Sequence, residues 1–142
     1  TALDVTVQAQ IMTLLGELRR DFGMATILIT HDLGVVAGFC ESVLVLYGGQ
    51  VMEKSPTDPL FATPSHPYTR GLLAAIPRVD QEGEALSAIP GSPPNMTNPP
   101  PGCPFAPRCG YAGEDCLDHL DPLTEFAPGR FRACNRSVEE LA

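Results

Sequence analysis

The sequence predicts an α/β fold followed by a proline-rich, loop-rich segment that carries most of the cysteines, and three observations support this. Apolar residues recur at helical spacing over the first 22 positions, two short β-branched runs follow at 25–30 and 42–47, and the composition then changes abruptly. All 15 Pro lie at or after Pro56, and four of the five Cys lie at or after Cys103. With 142 residues, 44% hydrophobic and 18% charged, the chain is of globular composition and long enough to bury a core. Three segments result: 1–55 α/β, 56–101 a helical and proline-rich connector, and 102–142 the cysteine segment.

Taken in order, Val7, Ile11, Leu14, Leu18 and Phe22 mark one apolar face of a helix, with Asp4 or Thr6 as its cap and Gly23 as its end. Ala25 to Thr30 reads as a short buried parallel strand. Asp32 to Cys40 is a short helix with Leu33, Val36 and Phe39 inward and Cys40 as a small core thiol. Ser42 to Tyr47 is a second strand, Gly48-Gly49 a tight turn because glycine adopts positive φ readily, and Gln50 to Lys54 the return strand. Pro56 to Ala62 and Pro67 to Ile76 are short helices opened by proline, the second stopped by Pro77. From there to Pro101 the chain is extended, and the run from Pro90 favours turns and polyproline conformation.

Several classes of function are excluded. Nine Lys and Arg against seventeen Asp and Glu, a net charge of -8, supply no basic stripe for nucleic acid. No apolar run reaches the roughly 18 residues of a membrane span, and the first residues lack the layout of a signal peptide. The opening at Thr1, directly into a helical pattern, leads us to expect a piece of a longer protein.

In open α/β sheets ligands collect beyond the carboxyl ends of parallel strands, where His31 stands. An imidazole there donates to a phosphate oxygen or orients water near neutral pH; the plainer reading is a surface residue at a helix start. The order Thr1-Ala2-Leu3-Asp4, helix, Ile27-Leu28-Ile29-Thr30, His31-Asp32-Leu33 resembles the back half of an ABC-transporter nucleotide-binding domain. The resemblance implies that residues 1–4 form the D-loop, with Asp4 at the ATPase dimer interface. It also implies that His31 is the switch histidine that contacts the ATP γ-phosphate. The likeness continues through Val45 to Glu53. It narrows at Pro64-Ser65-His66-Pro67-Tyr68-Thr69-Arg70 and Ile89-Pro90-Gly91, which are similar to the dipeptide, oligopeptide and nickel importer ATPases. Lys54-Ser55 departs from that pattern, and His66 and Tyr68 read as structural residues packed at a helix start.

Cys103, Cys109, Cys116 and Cys134 are spaced C-x5-C-x6-C-x17-C. Two disulfides, a structural zinc and an iron-sulfur cluster compete for them; disulfides are disfavoured in a reducing compartment, and zinc's usual short knuckles are absent. Arg108, Arg130, Arg132 and Arg136 are interleaved with the cysteines, either to neutralise thiolates or to pair with Asp115, Asp118 and Asp121. Gly102-Cys103-Pro104-Phe105, Arg108-Cys109, Cys116 and Arg132-Ala133-Cys134 resemble the C-terminal extension of the peptide importers, some of which hold a [4Fe-4S] cluster. Arg132-Ala133-Cys134 departs from the more usual valine-arginine-cysteine.

The resemblance thus implies the C-terminal half of an ABC-type nucleotide-binding domain, with parallel strands, helices and a closing hairpin, plus a four-cysteine extension. The full protein is then an ATPase subunit of a peptide importer, using ATP and Mg, peripheral at the cytoplasmic membrane face, with a second ATPase subunit and membrane-spanning permease subunits as partners. The sequence contains no G-x4-G-K-[ST] loop, no Ser-Gly-Gly-Gln and no Asp-Glu pair ahead of Thr1, so these 142 residues alone are expected not to hydrolyse ATP and to self-associate through uncovered apolar surface. The contrasting reading is a self-standing metal-binding interaction module. The cargo, whether dipeptide, oligopeptide or nickel, is not encoded here.

Overall fold

A computed structural model describes residues 4–76, 88–137 and 139–141 of the chain. The chain forms two compact units, Thr1–Glu41 and Ser42–Ala142.

The first unit consists of two helices and an extended link. Helix α1 (Val5–Phe22) starts where the Asp4 carboxylate accepts the Thr6 N–H, and it ends at Gly23, whose φ of 61° places it in the left-handed region. The apolar face is formed as predicted but is not covered: Leu14 is 54% and Phe22 72% exposed. Helix α2 (Leu33–Phe39) is capped by Asp32, which accepts the N–H groups of Gly34 and Val35, and it buries Val36. Arg19 of α1 ties the two helices together by donating to the Phe39 carbonyl at 3.3 Å, lying over the Phe39 ring and pairing with Glu41. Cys40 closes α2 by donating its N–H to the Val36 carbonyl, and it is half-buried rather than fully in a core.

Residues 25–30 do not form the predicted strand. They lie outside any strand, with Ile27 and Ile29 over 90% exposed. The β-branched pattern specifies an extended backbone, but a strand also needs a neighbour to accept its ladder of hydrogen bonds, and the described residues supply none there.

The second unit is built on a four-stranded sheet of order β1-β2-β4-β3, antiparallel throughout. Strands β1 (Ser42–Tyr47) and β2 (Gln50–Pro56) are joined by Gly48 and Gly49 with φ of 54° and 72°, a two-residue turn that only glycine enters without cost at both positions. Strand β1 alternates strictly, burying Val43, Val45 and Tyr47. The hairpin expected of 42–54 is thus formed, but the parallel strands expected beside it are not: the sheet is completed instead by β3 (Thr124–Ala127) and β4 (Arg130–Arg132) from the cysteine segment. The α/β content stands.

Helix α3 (Thr57–Ala62) follows β2 and buries Leu60 completely. Helix α4 (Pro67–Ala74) has proline at its first turn, and the predicted stop at Pro77 lies outside the described residues. Residues 88–101 contain no regular element. A short 3-10 turn (Ala106–Arg108) and helix α5 (Asp115–Asp118) carry the chain from Cys103 to Cys116. The core centres on Tyr47, Met52 and Phe105, with Tyr68 packed against it. Tyr47 meets Tyr68 at 4.5 Å and the edge of Phe105 at 5.4 Å between ring centroids, and such contacts add to the area buried.

Candidate functional site

In the first unit, Asp4 and His31 stand at helix starts. Asp4 is exposed, and its carboxyl is held below the usual range by the Thr6 N–H it accepts, so its side chain is already engaged as a cap. His31 is exposed immediately before the Asp32 cap. The Gln8 side-chain amide, one turn into α1, donates to Asp32 Oδ2 at 3.1 Å, so the starts of α1 and α2 lie at the same end of this unit. The Asp32 carboxyl is likewise lowered, first by the Val35 N–H and then by Gln8. Thr1, Ala2 and Leu3 lie outside the described residues.

The second unit brings the four cysteines of the C-terminal segment to one small cavity, together with His66, Phe105 and Arg136. Each cysteine arrives on its own local structure. The Cys103 N–H donates to the Cys116 carbonyl at 2.9 Å, with Gly102 packed so closely on Cys116 and Leu117 that no side chain fits there. The Cys103 carbonyl accepts the Ala106 N–H, which winds the 3-10 turn that delivers Cys109. Cys134 follows β4, where the Ala133 N–H donates to the Met52 carbonyl. Burial pushes the thiols of Cys103, Cys109 and Cys134 above their ordinary pKa, and the neighbouring cysteines push in the same direction.

The donor set can be weighed against the two metal chemistries. Among the described residues, no three His, Cys, Asp or Glu side chains are grouped to hold a single metal ion. All four cysteines nonetheless line one small cavity, and four thiolates are the donor set an iron-sulfur cluster takes. No two of the cysteines are joined as a disulfide.

The arginines divide. Arg108 donates to the Pro90 and Ile89 carbonyls and to the Tyr47 hydroxyl, fastening the proline-rich loop. Arg130 bonds to Thr63, and Arg132 donates to the Ser65 carbonyl. Arg136 alone among the four hydrogen-bonds a sulfur, reaching Cys116 Sγ at 3.5 Å while pairing with Asp115 at 2.6 Å. A bond to sulfur and an ion pair thus meet in Arg136, while the charge of Arg132 also favours the Cys134 thiolate. Asp118 and Asp121 appear in no ion pair among the described residues.

Sequence reasoning did not find the support beneath the cavity. Glu53 on β2 is fully buried, and its carboxylate accepts the Ser65 N–H and hydroxyl and the His66 N–H at 2.7–3.0 Å. His66 then caps α4 by accepting the Tyr68 N–H at its Nδ1, which leaves the ring proton on Nε2. Burial, then Arg132, lowers the His66 pKa to about 4, with the Ala133 backbone working the other way. The structural role expected of His66 and Tyr68 is borne out. Glu53 escapes the alternation test because Met52 and Glu53 are both buried, one after the other.

Comparison with known proteins agrees with the reading of these motifs. Residues 52–116 match the family described as oligopeptide/dipeptide transporter, C-terminal region; three of the four cavity cysteines fall inside the match and Cys134 beyond it. The chain is 59% identical over 141 residues, 99% of its length, to the oligopeptide transport ATP-binding protein OppD of Salmonella typhimurium. It is 55% identical over 142 residues to OppD of Haemophilus influenzae and 48% identical over 142 residues to the oligopeptide transport ATP-binding protein AppD of Bacillus subtilis. It spans 42–43% of the length of these relatives.

Proposed function

We propose, because residues 52–116 match the family described as oligopeptide/dipeptide transporter, C-terminal region, that this chain is the corresponding part of the ATP-hydrolysing subunit of a peptide importer. The observation that carries the reading is similarity along 99% of the chain to ATP-binding proteins of oligopeptide transport. Those relatives are more than twice as long and hold counterparts of both units in one polypeptide, which speaks against a self-standing module. The complete subunit binds ATP with Mg and works at the cytoplasmic face of the membrane with a second ATPase subunit and membrane-spanning permeases. No helix among the described residues is long and apolar enough to cross a membrane.

His31 serves the γ-phosphate: its imidazole is exposed at the start of α2, beside a cap that fixes the backbone, and donates to a phosphate oxygen. Asp4 acts at the dimer interface mainly by setting where α1 begins, since its carboxylate is held by Thr6. In the full-length subunit, His31→Ala is expected to lower the ATP turnover rate by about 10²-fold, with nucleotide affinity nearly unchanged. A wild-type turnover rate in that variant refutes the assignment. The exposed apolar residues of α1 and of 27–29 are covered by the rest of the subunit, and the 142-residue chain alone self-associates.

Cys103, Cys109, Cys116 and Cys134 are proposed to hold a [4Fe-4S] cluster, with zinc as the alternative. The shared cavity supports the cluster, whose role is to pin a segment short of apolar core. Iron, sulfide and zinc measured after anaerobic purification decide between them.

A further inference from the structure

We propose that Arg136 is a positioning residue for the Cys116 sulfur, built into the loop to hold that thiolate and so raise the reduction potential of the group the four cysteines bind. The inference rests on the cluster assignment above and concerns residues that assignment does not use.

The guanidinium is fixed from two other sides before it reaches the sulfur. Its Nε donates to the Tyr111 carbonyl at 3.1 Å, and its Nη2 lies 2.6 Å from Asp115 Oδ1 and 3.5 Å from Cys116 Sγ. The second oxygen of Asp115 accepts the Asn135 side-chain amide, so the carboxylate that holds Arg136 is itself held. Cys116 also lies 3.8 Å from Asp115 Oδ1, a contact that is favourable only while the sulfur carries a proton. Once the sulfur is a thiolate, Arg136 stands between two negative groups and offsets both. The Cys116 backbone is secured by its N–H to the Gly113 carbonyl and by its carbonyl to the Cys103 N–H, so the guanidinium acts on a sulfur whose attachment is fixed.

A second observation shows that room is reserved for this arrangement. A Cβ at Gly113 would stand 2.5 Å from both Arg136 Nη2 and Asp115 Oδ1. Gly113 is not among the glycines with positive φ, so its backbone would accept another residue; a side chain there would have to push the ion pair aside. None of the other three arginines interleaved with the cysteines hydrogen-bonds a sulfur among the described residues.

A reduced cluster carries one more negative charge than an oxidised one, and a cation donating to a ligand sulfur favours the reduced form. The test is a redox titration of the anaerobically purified chain, followed by visible absorption and electron paramagnetic resonance, with iron and sulfide counted for every sample. In Arg136→Met the reduction equilibrium is expected to shift at least tenfold toward the oxidised form, about 59 mV downward for one electron. Arg136→Lys keeps the charge without the fork and is expected to shift less. Gly113→Ala displaces the pair without removing it and is expected to shift the potential in the same direction.

A loaded Arg136→Met variant with wild-type potential overturns the proposal. If that variant does not retain iron, the Lys and Gly113→Ala variants carry the test, and unchanged potentials in both overturn it. A wild-type chain that purifies without iron and sulfide overturns the cluster assignment itself, a result distinct from an unmoved potential.

Discussion

Glu53→Gln changes one atom in the most buried polar group of the second unit, and its cost can be worked from the contacts. The carboxylate is fully buried, with Oε1 accepting the Ser65 N–H at 3.0 Å and the Ser65 hydroxyl at 2.7 Å, and Oε2 accepting the His66 N–H at 2.9 Å. Glutamine retains one acceptor oxygen. If that oxygen serves Ser65, the new amide confronts the His66 N–H, donor against donor. The His66 N–H loses its partner and is left as an unmet buried donor, a single loss that predicts about 1–3 kcal/mol. Urea unfolding of wild type and variant measures it, read as a shift in midpoint at constant slope. A loss below about 1 kcal/mol refutes the reasoning, because it means that the turn before α4 does not depend on this carboxylate. The variant is also expected to loosen the cysteine cavity, which His66 borders while meeting the backbone of Ala133, next to Cys134.

Two further outcomes follow from the same region. The His66 pKa of about 4 against an ordinary 6.5 means that the unfolded chain takes up a proton first as pH falls. The fold therefore loses up to about 3 kcal/mol between pH 6.5 and pH 4 from this residue, with no contribution above that window. His66→Asn keeps an acceptor for the Tyr68 N–H and is expected to flatten this pH dependence in urea unfolding at pH 7, 5.5 and 4.5; an unaltered slope contradicts it. Gly102→Ala places a methyl against the backbone of Cys116 and Leu117, which cannot yield like a flexible side chain. It is expected to cost about 1–3 kcal/mol and to separate Cys103 from Cys116, visible as faster proteolysis after Pro101.

Local elements were legible because their causes are local. The cap at Asp4, the stop at Gly23, the Gly48-Gly49 turn and the proline at the start of α4 each act within a few residues, and all four stand where the pattern placed them. Residues 25–30 were not, because a β-branched run states what a backbone prefers and not what it will pair with. Strands β3 and β4 are hidden for the opposite reason: four and three residues are too short to show alternation, and β4 becomes a strand by joining β2 at Glu53 and Lys54, β3 by joining β4.

The cysteines illustrate the division most fully. Their number and spacing, and the motifs around His31 and His66, were in the sequence and pointed to a transporter ATPase with a cysteine-bearing extension. Which arginine serves a sulfur was not, since Arg108, Arg130, Arg132 and Arg136 are equivalent by composition. Only the fold sends three of them to Ile89, Thr63 and Ser65 and one to Cys116. Hydrogen bonds act over about 3 Å whatever the separation along the chain, so partners roughly 20 or more residues apart are chosen by packing. Glu53, whose partners stand 12 and 13 positions away, is decided in the same way.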